Sequence, residues 1–198
     1  MTIPVNLVFE DAISEFTMLK LLNSYGLKFE ASHSYPGFGS GYIKKNIRGF
    51  NEASITVPFF ILTDLDNFEC PITLKRDWLK QPERQNLIFR VAVREVEAWL
   101  LADVEGFSEF TGVSAVNFPV NPELVSDPKQ TLINLVRRCK RRTIREDILP
   151  LNENAKIGPN YNEQLMAFVK DYWSIERAVL RSESLRRAHQ RLESFEYI

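Results

Sequence analysis

Cysteine and histidine are too few and too scattered in this chain to build a metal knot. Cys70 and Cys139 stand far apart with no CxxC partner, and His33 and His189 have no Cys or His neighbour at ligand spacing. Structural zinc and a disulfide framework are therefore not expected, and two lone thiols fit a reduced, intracellular protein. No GxSxG elbow occurs, and neither cysteine sits in a catalytic signature. No apolar run approaches the ~18 residues a membrane span needs, and no basic flank precedes a long apolar stretch at the N-terminus. A soluble, cytoplasmic protein with no membrane partner is the expectation.

Net charge is also nearly absent, with 25 Lys and Arg against 26 Asp and Glu, so bulk electrostatics names no partner. The distribution is less even. Residues 1–110 hold 11 basic and 15 acidic side chains, and residues 111–198 hold 14 and 11. An acidic site with a basic flank suits a metal-using enzyme on an anionic polymer, and it also lies within ordinary variation. What is abundant is core material: 44% hydrophobic residues, with 14 Phe among them, in a chain of 198 residues. That supports one ordinary domain, or one domain with a helical appendix. There is no internal repeat and no low-complexity tract.

The first hundred residues alternate strand and helix. Near-continuous apolar strands are expected at 3–9, 57–63 and 86–93, with a weaker one at 27–34. Between them, helical spacing predicts helices over 12–24, 42–53 and 72–80. Such alternation implies an α/β fold with a four-stranded, mainly parallel, doubly wound sheet. A helix over 94–103 follows, and from Pro128 the patterns turn helical at about 128–142, 161–172 and 182–194. The expected division is an α/β domain over 1–112 and a helical region over 113–198 packed on it. Trp99 and Trp173 read as core.

Two acidic clusters stand where apolar strands run out. Glu10-Asp11 follows the first, and Asp64-Leu65-Asp66 follows the third. Strands 1 and 3 of a doubly wound sheet are commonly neighbours, so the clusters should meet at the carboxyl edge, where such sheets bind ligands. Paired carboxylates there can hold Mg²⁺, which takes oxygen ligands and keeps several waters. Each cluster also has a plainer account. Asp favours strand exits, and Asp11 and Glu15 suit a helix N-terminus. Glu95 and Glu97 lie just past the fourth strand; two residues apart on a helix, at most one of them faces a site. Glu97 facing inward would add a fourth carboxylate.

Six cations fall in nine residues: Arg137, Arg138, Lys140, Arg141, Arg142 and Arg145. The run suits nucleic-acid phosphates, and equally a solvated helix end whose cations complement the dipole. Gly37, Gly39 and Gly41, with Lys44 and Lys45 following, form a loop that would admit a phosphate to its backbone or serve only as a mobile connection. It lacks P-loop spacing.

Phe9-Glu10 before a helix, and Thr63-Asp64-Leu65-Asp66 after a later strand, resemble the Toprim module of topoisomerases, bacterial primases and OLD-type nucleases. That module places one glutamate after strand 1 and an Asp-x-Asp after strand 3. Its usual glycine after the glutamate is Asp11 here. More closely, the chain resembles the DUF4276 family, a bacterial family with a Toprim-like domain often encoded beside an ATPase. The matching stretches are Arg94–Asp103, Asp127-Pro128-Lys129, Ile157–Tyr161 and Ser184–Ala188. The resemblance implies a Mg²⁺- or Mn²⁺-dependent nuclease acting in anti-phage defence with an ATPase partner. On that reading Asp64 and Asp66 hold the metal, Glu10 is a further ligand or the general acid/base, and Glu97, or else Glu95, completes a second metal position. The basic run, with Lys44 and Lys45, holds nucleic acid. Two other classes remain open: a non-catalytic subunit that docks an ATPase, and a DxD-type nucleotidyl or glycosyl transferase. Homo-oligomerisation is open too.

Overall fold

The computed structural model describes residues 2–197, and the fold is α/β. Four strands, β1 (Ile3–Phe9), β2 (Phe29–Pro36), β3 (Phe59–Asp64) and β4 (Leu87–Ala92), form one all-parallel sheet in the order β2-β1-β3-β4. The chain winds outward from β1 to β2, then returns past β1 to β3 and β4. The reversal point therefore lies between β1 and β3, and their carboxyl ends form its crevice. Val8 pairs with Ile61 and Asp64 with Ala92, so β3 and β4 end level and β1 ends just short of them, with Glu10 as its next residue.

β1, β3 and β4 are largely apolar toward both faces because both faces are covered. Val8, Phe59, Ile61, Leu87, Phe89 and Val91 pack in one buried cluster with Ile43 and Ile47 of α2 (Ser40–Ala53) and Leu74, Trp78 and Leu79 of α3 (Pro71–Leu79). Val5, Leu7, Phe9, Phe60 and Leu62, which alternate with these, are also sealed. Their neighbour α1 (Ala12–Asn23) buries Ile13, Met18, Leu21 and Leu22. Asp11 caps α1 by accepting the Ser14 N–H at 2.8 Å, and Pro71 opens α3 behind Cys70, whose reciprocal partner is Thr73.

Two compact units result: residues 1–93 with 184–198, and residues 94–183. The boundary thus falls earlier than the expected 112, and the last helix, α10 (Glu183–Glu193), belongs mostly with the sheet. The turn after α1 holds it there. Tyr25 Oη donates to the His189 carbonyl at 2.8 Å, Lys28 Nζ donates to the Leu192 carbonyl at 2.9 Å, and Phe29 meets Phe195 at 6.0 Å between centroids.

In the second unit, α4 (Val96–Ala102) is buried at every residue and packs against α6 (Pro128–Val136) and α9 (Ile175–Ala178). Short α5 (Val104–Thr111) and α7 (Arg142–Ile148), unmarked in the sequence pattern, join α8 (Tyr161–Asp171). The Trp173 indole donates to the Trp99 carbonyl at 3.1 Å, so both tryptophans are core as expected. The helix expected over 128–142 stops at Val136. Cys139 is drawn inward, its Sγ donating to the Thr111 carbonyl at 3.0 Å, and this breaks the helix before Arg142 restarts one.

Among the described residues no helix is long and apolar enough to cross a membrane.

Candidate functional site

Glu10 leaves β1 beside the end of β3 and is fixed from both sides. Its Oε1 accepts the Asp64 backbone N–H at 2.9 Å and the Thr63 hydroxyl. On the β2 side, Gly37 N–H donates to the Phe9 carbonyl at 2.7 Å and Gly39 N–H to the Glu10 carbonyl at 3.2 Å. A side chain at Gly37 would place its Cβ 2.9 Å from that Phe9 carbonyl, so the closeness of the loop depends on glycine. Burial raises the Glu10 pKa. The bonds from Thr63 and Asp64 oppose the rise, and the charges of Asp66 and Asp11 add to it.

The Asp64-Leu65-Asp66 exit is anchored by its middle residue. Leu65 is buried in the α2–α3 cluster, and its N–H extends the ladder to the Ala92 carbonyl at 2.8 Å. Asp64 is half-buried, whereas Asp66 is exposed and sits in the left-handed region at φ 50°. Aspartate tolerates that region better than most residues, which suits a tight exit from the strand. Asp66 therefore presents its charge at the site rim, and that charge is felt by Glu10.

Other candidates have different employment. The Asp11 carboxylate caps α1, and Glu15 accepts the Ser34 hydroxyl at 2.8 Å. Glu97 belongs to the second unit and is buried there, with its Oε1 accepting the Tyr161 hydroxyl at 3.0 Å and facing Lys129 Nζ at 3.3 Å. Glu95 accepts the Lys129 backbone N–H at 2.9 Å. Among the described residues no three His, Cys, Asp or Glu side chains gather closely enough to form a metal cage. The carboxylates of the β1–β3 crevice nonetheless fit a hard divalent cation in kind, being oxygen donors. Mg²⁺ needs only one or two of them when phosphate and water complete its shell.

The cations are dispersed. Lys44 pairs with Asp77 at 2.8 Å and lies over Phe68, while Lys45 is exposed on α2. α2 follows β2 through Gly39, which puts its N-terminus at the carboxyl edge of the sheet, and its first turn has no side-chain cap, an arrangement that favours anions. Arg137, Arg138, Lys140 and Arg141 are exposed on the turn between α6 and α7, Arg142 is exposed at the start of α7, and Arg145 is half-buried. Arg138 donates to Asn117 Oδ1, Arg141 to the Tyr172 hydroxyl at 3.4 Å, and Arg142 to Glu146 at 2.7 Å. Arg145 donates to the Cys139 carbonyl at 3.3 Å.

A separate cavity of about 460 Å³ opens at the amino-terminal edge of the sheet, lined by residues such as Asn51, Glu52, Gln81 and Arg84. None of the candidate acids lines it. The Thr63 hydroxyl that holds Glu10 was not singled out in the sequence, because a buried Thr ending an apolar strand looks like ordinary strand material.

No family model, no curated protein and no solved structure matches the chain.

Proposed function

We propose that the chain is a divalent-metal-dependent nuclease whose centre is the β1–β3 crevice. The observation that carries this reading is the locking of Glu10 by Thr63 and Asp64 across the switch point, with Asp66 charged beside it. A bound Mg²⁺ or Mn²⁺ polarises a phosphoryl oxygen and lowers the pKa of a coordinated water. Asp64 and Asp66 are the residues that would hold the ion. Glu10 is suited to give and take a proton at the leaving oxygen, because burial holds its pKa above the ordinary carboxylate value. The uncapped first turn of α2 offers N–H donors to a neighbouring phosphate. The setting we assign, from the resemblance to the DUF4276 and OLD-type proteins, is anti-phage defence beside an ATPase.

The test is cleavage of a panel of DNA and RNA by the full chain with Mg²⁺ or Mn²⁺, compared with Asp66→Asn and Glu10→Gln. Cleavage lost in both variants supports the assignment, and equal cleavage in all three proteins removes it. A second reading rests on the same resemblance to proteins encoded beside an ATPase. On that reading the unit is a non-catalytic subunit that docks an ATPase. Undiminished ATPase co-purification by a chain that never cleaves would select it.

A further inference from the structure

The loop between β2 and α2 leaves a large aromatic side chain in water, since Phe38 is 95% exposed. Its backbone lies in the left-handed region at φ 49°, where a bulky side chain is a genuine outlier. The residues on either side fix its place. Gly37 N–H donates to the Phe9 carbonyl at 2.7 Å, and Gly39 N–H donates to the Glu10 carbonyl at 3.2 Å. Phe38 is thus held at the exit of β1, between two bonds to the residues that lead into the crevice.

The fold makes no use of this ring. Tyr35, Tyr42 and Phe59, from the elements around the loop, all lean on Phe50, with centroids 5.7, 6.2 and 5.4 Å away. Phe38 joins no such cluster among the described residues. A ring in water on a disfavoured backbone adds nothing to stability, and outliers of this kind gather at functional sites. Four non-glycine residues among the described ones have positive φ. Two of them, Phe38 and Asp66, follow β2 and β3, the strands on either side of β1, and so flank the end where Glu10 lies.

We infer that Phe38 is a stacking platform for an unpaired nucleobase, which makes single-stranded nucleic acid the substrate class of the crevice. The inference rests on the nuclease reading, which is what brings a polynucleotide to this edge. A fixed, solvent-facing ring matches the flat face of a base, whatever the sequence. The strand's backbone has its own partners close by in the chain, in the uncapped first turn of α2 and the exposed Lys45. In a duplex both faces of each base are covered by its neighbours, so only an unpaired base can use the platform.

The experiment is anisotropy titration of labelled single strands, DNA and RNA, and of a duplex with the full chain in chelator, where no cleavage occurs. Phe38→Ala should weaken single-strand binding about 5- to 150-fold, the usual alanine loss for one base–aromatic stack, and leave duplex binding unchanged. Phe38→Trp should restore it. The three native tryptophans are buried, so the strand should quench the emission of the added indole selectively. Thermal melts check that each variant is folded. Either DNA or RNA behaving in this way supports the inference. No single-strand binding, equal affinity in folded Phe38→Ala, or an equal loss on the duplex overturns it. Cleavage with Mg²⁺ judges the nuclease reading apart from this. A chain that stacks a strand on Phe38 yet never cleaves keeps the platform and removes that reading. Equal single-strand cleavage by wild type and Phe38→Ala, at concentrations below saturation, keeps that reading and removes the platform.

Discussion

The Glu10 carboxylate accepts the backbone N–H of Asp64 at 2.9 Å, although 54 residues of chain separate the two. The bond joins the exits of the two strands that flank the reversal of the sheet. It converts a glutamate that could swing freely in a loop into one with a fixed oxygen. The same Oε1 receives the Thr63 hydroxyl, so both bonds that fix the carboxylate come from β3.

Replacing Glu10 separates its two roles. Glu10→Ala strands the Thr63 and Asp64 donors in a partly buried position, which should cost about 1–3 kcal/mol in denaturant unfolding. Glu10→Gln retains an acceptor oxygen and should cost less while abolishing metal-dependent cleavage. The pH dependence has a definite sign. The native pKa is raised above 4.5, so the native state keeps its proton where the unfolded chain has lost it. Relative to Glu10→Gln, the wild type should therefore lose stability as pH rises from about 4.5 through the raised native value. A flat difference between the two unfolding curves across that window would contradict the burial of Glu10.

Gly37 in the loop and Gly41 in the helix after it should behave in opposite ways. A Cβ at Gly37 would lie 2.9 Å from the Phe9 carbonyl and 3.2 Å from that of Gly39, whereas one at Gly41 meets nothing within 4 Å. Gly37→Ala should destabilise by about 1–3 kcal/mol, because the backbone itself must move. Gly41 lies inside α2, so Gly41→Ala should stabilise by about 0.5–1 kcal/mol. Thermal melts of the two variants give the comparison, and equal shifts would mean that the loop does not close on β1.

Sequence patterning carried the sheet well where burial was on both sides. β1 runs over Ile3–Phe9 as its apolar run indicates. β3 begins at Phe59 rather than at 57, because Pro58 lacks the N–H a ladder needs and contributes its carbonyl to Asn6 instead. β2 lies two residues later than expected. It is an edge strand of mostly exposed polar residues, and its register against β1 shifts between Val5 and Leu7. Nothing in its composition fixes such a register. The meeting of Glu10 with the β3 exit was legible from topology. The partners of Glu97 were not, since helical spacing assigns a face but cannot name Tyr161, 64 residues away, as the donor. α5 was hidden because Asp103 is a polar residue in an apolar stretch and caps a new helix by accepting the Gly106 N–H.

Asp103 should prove the most sensitive polar position of the second unit. It is fully buried, and it accepts the Ser174 N–H at 2.7 Å, the Gly106 N–H at 3.1 Å and the Arg177 guanidinium at 2.6 and 2.7 Å. Removing it leaves the Gly106 and Ser174 N–H groups without their acceptor, while the part-exposed Arg177 can turn to water, and Asp103→Ala should cost about 1–3 kcal/mol. Arg177→Met should cost less than Asp103→Ala if backbone donors continue to hold the carboxylate. Denaturant midpoints of the two variants decide the order, and a loss below about 1 kcal/mol for Asp103→Ala would show the network to be dispensable.

The basic turn between α6 and α7 gives a prediction that salt alone can judge. Arg137, Arg138, Lys140 and Arg141 are exposed there. The groups that accept from two of them carry no charge: Asn117 for Arg138 and the Tyr172 hydroxyl for Arg141. Arg142, by contrast, is already paired with Glu146. If the turn holds nucleic-acid backbone, each phosphate left without its cation should reduce the slope of log affinity against log salt by about 0.9 for duplex DNA. Replacing those four side chains with Gln should therefore flatten the slope markedly and weaken binding at low salt, with no dependence on base sequence. Arg142→Gln should change it little, because its charge is already committed. An unaltered slope in the fourfold variant would remove the turn from the binding surface and restore its simpler role as a solvated helix end.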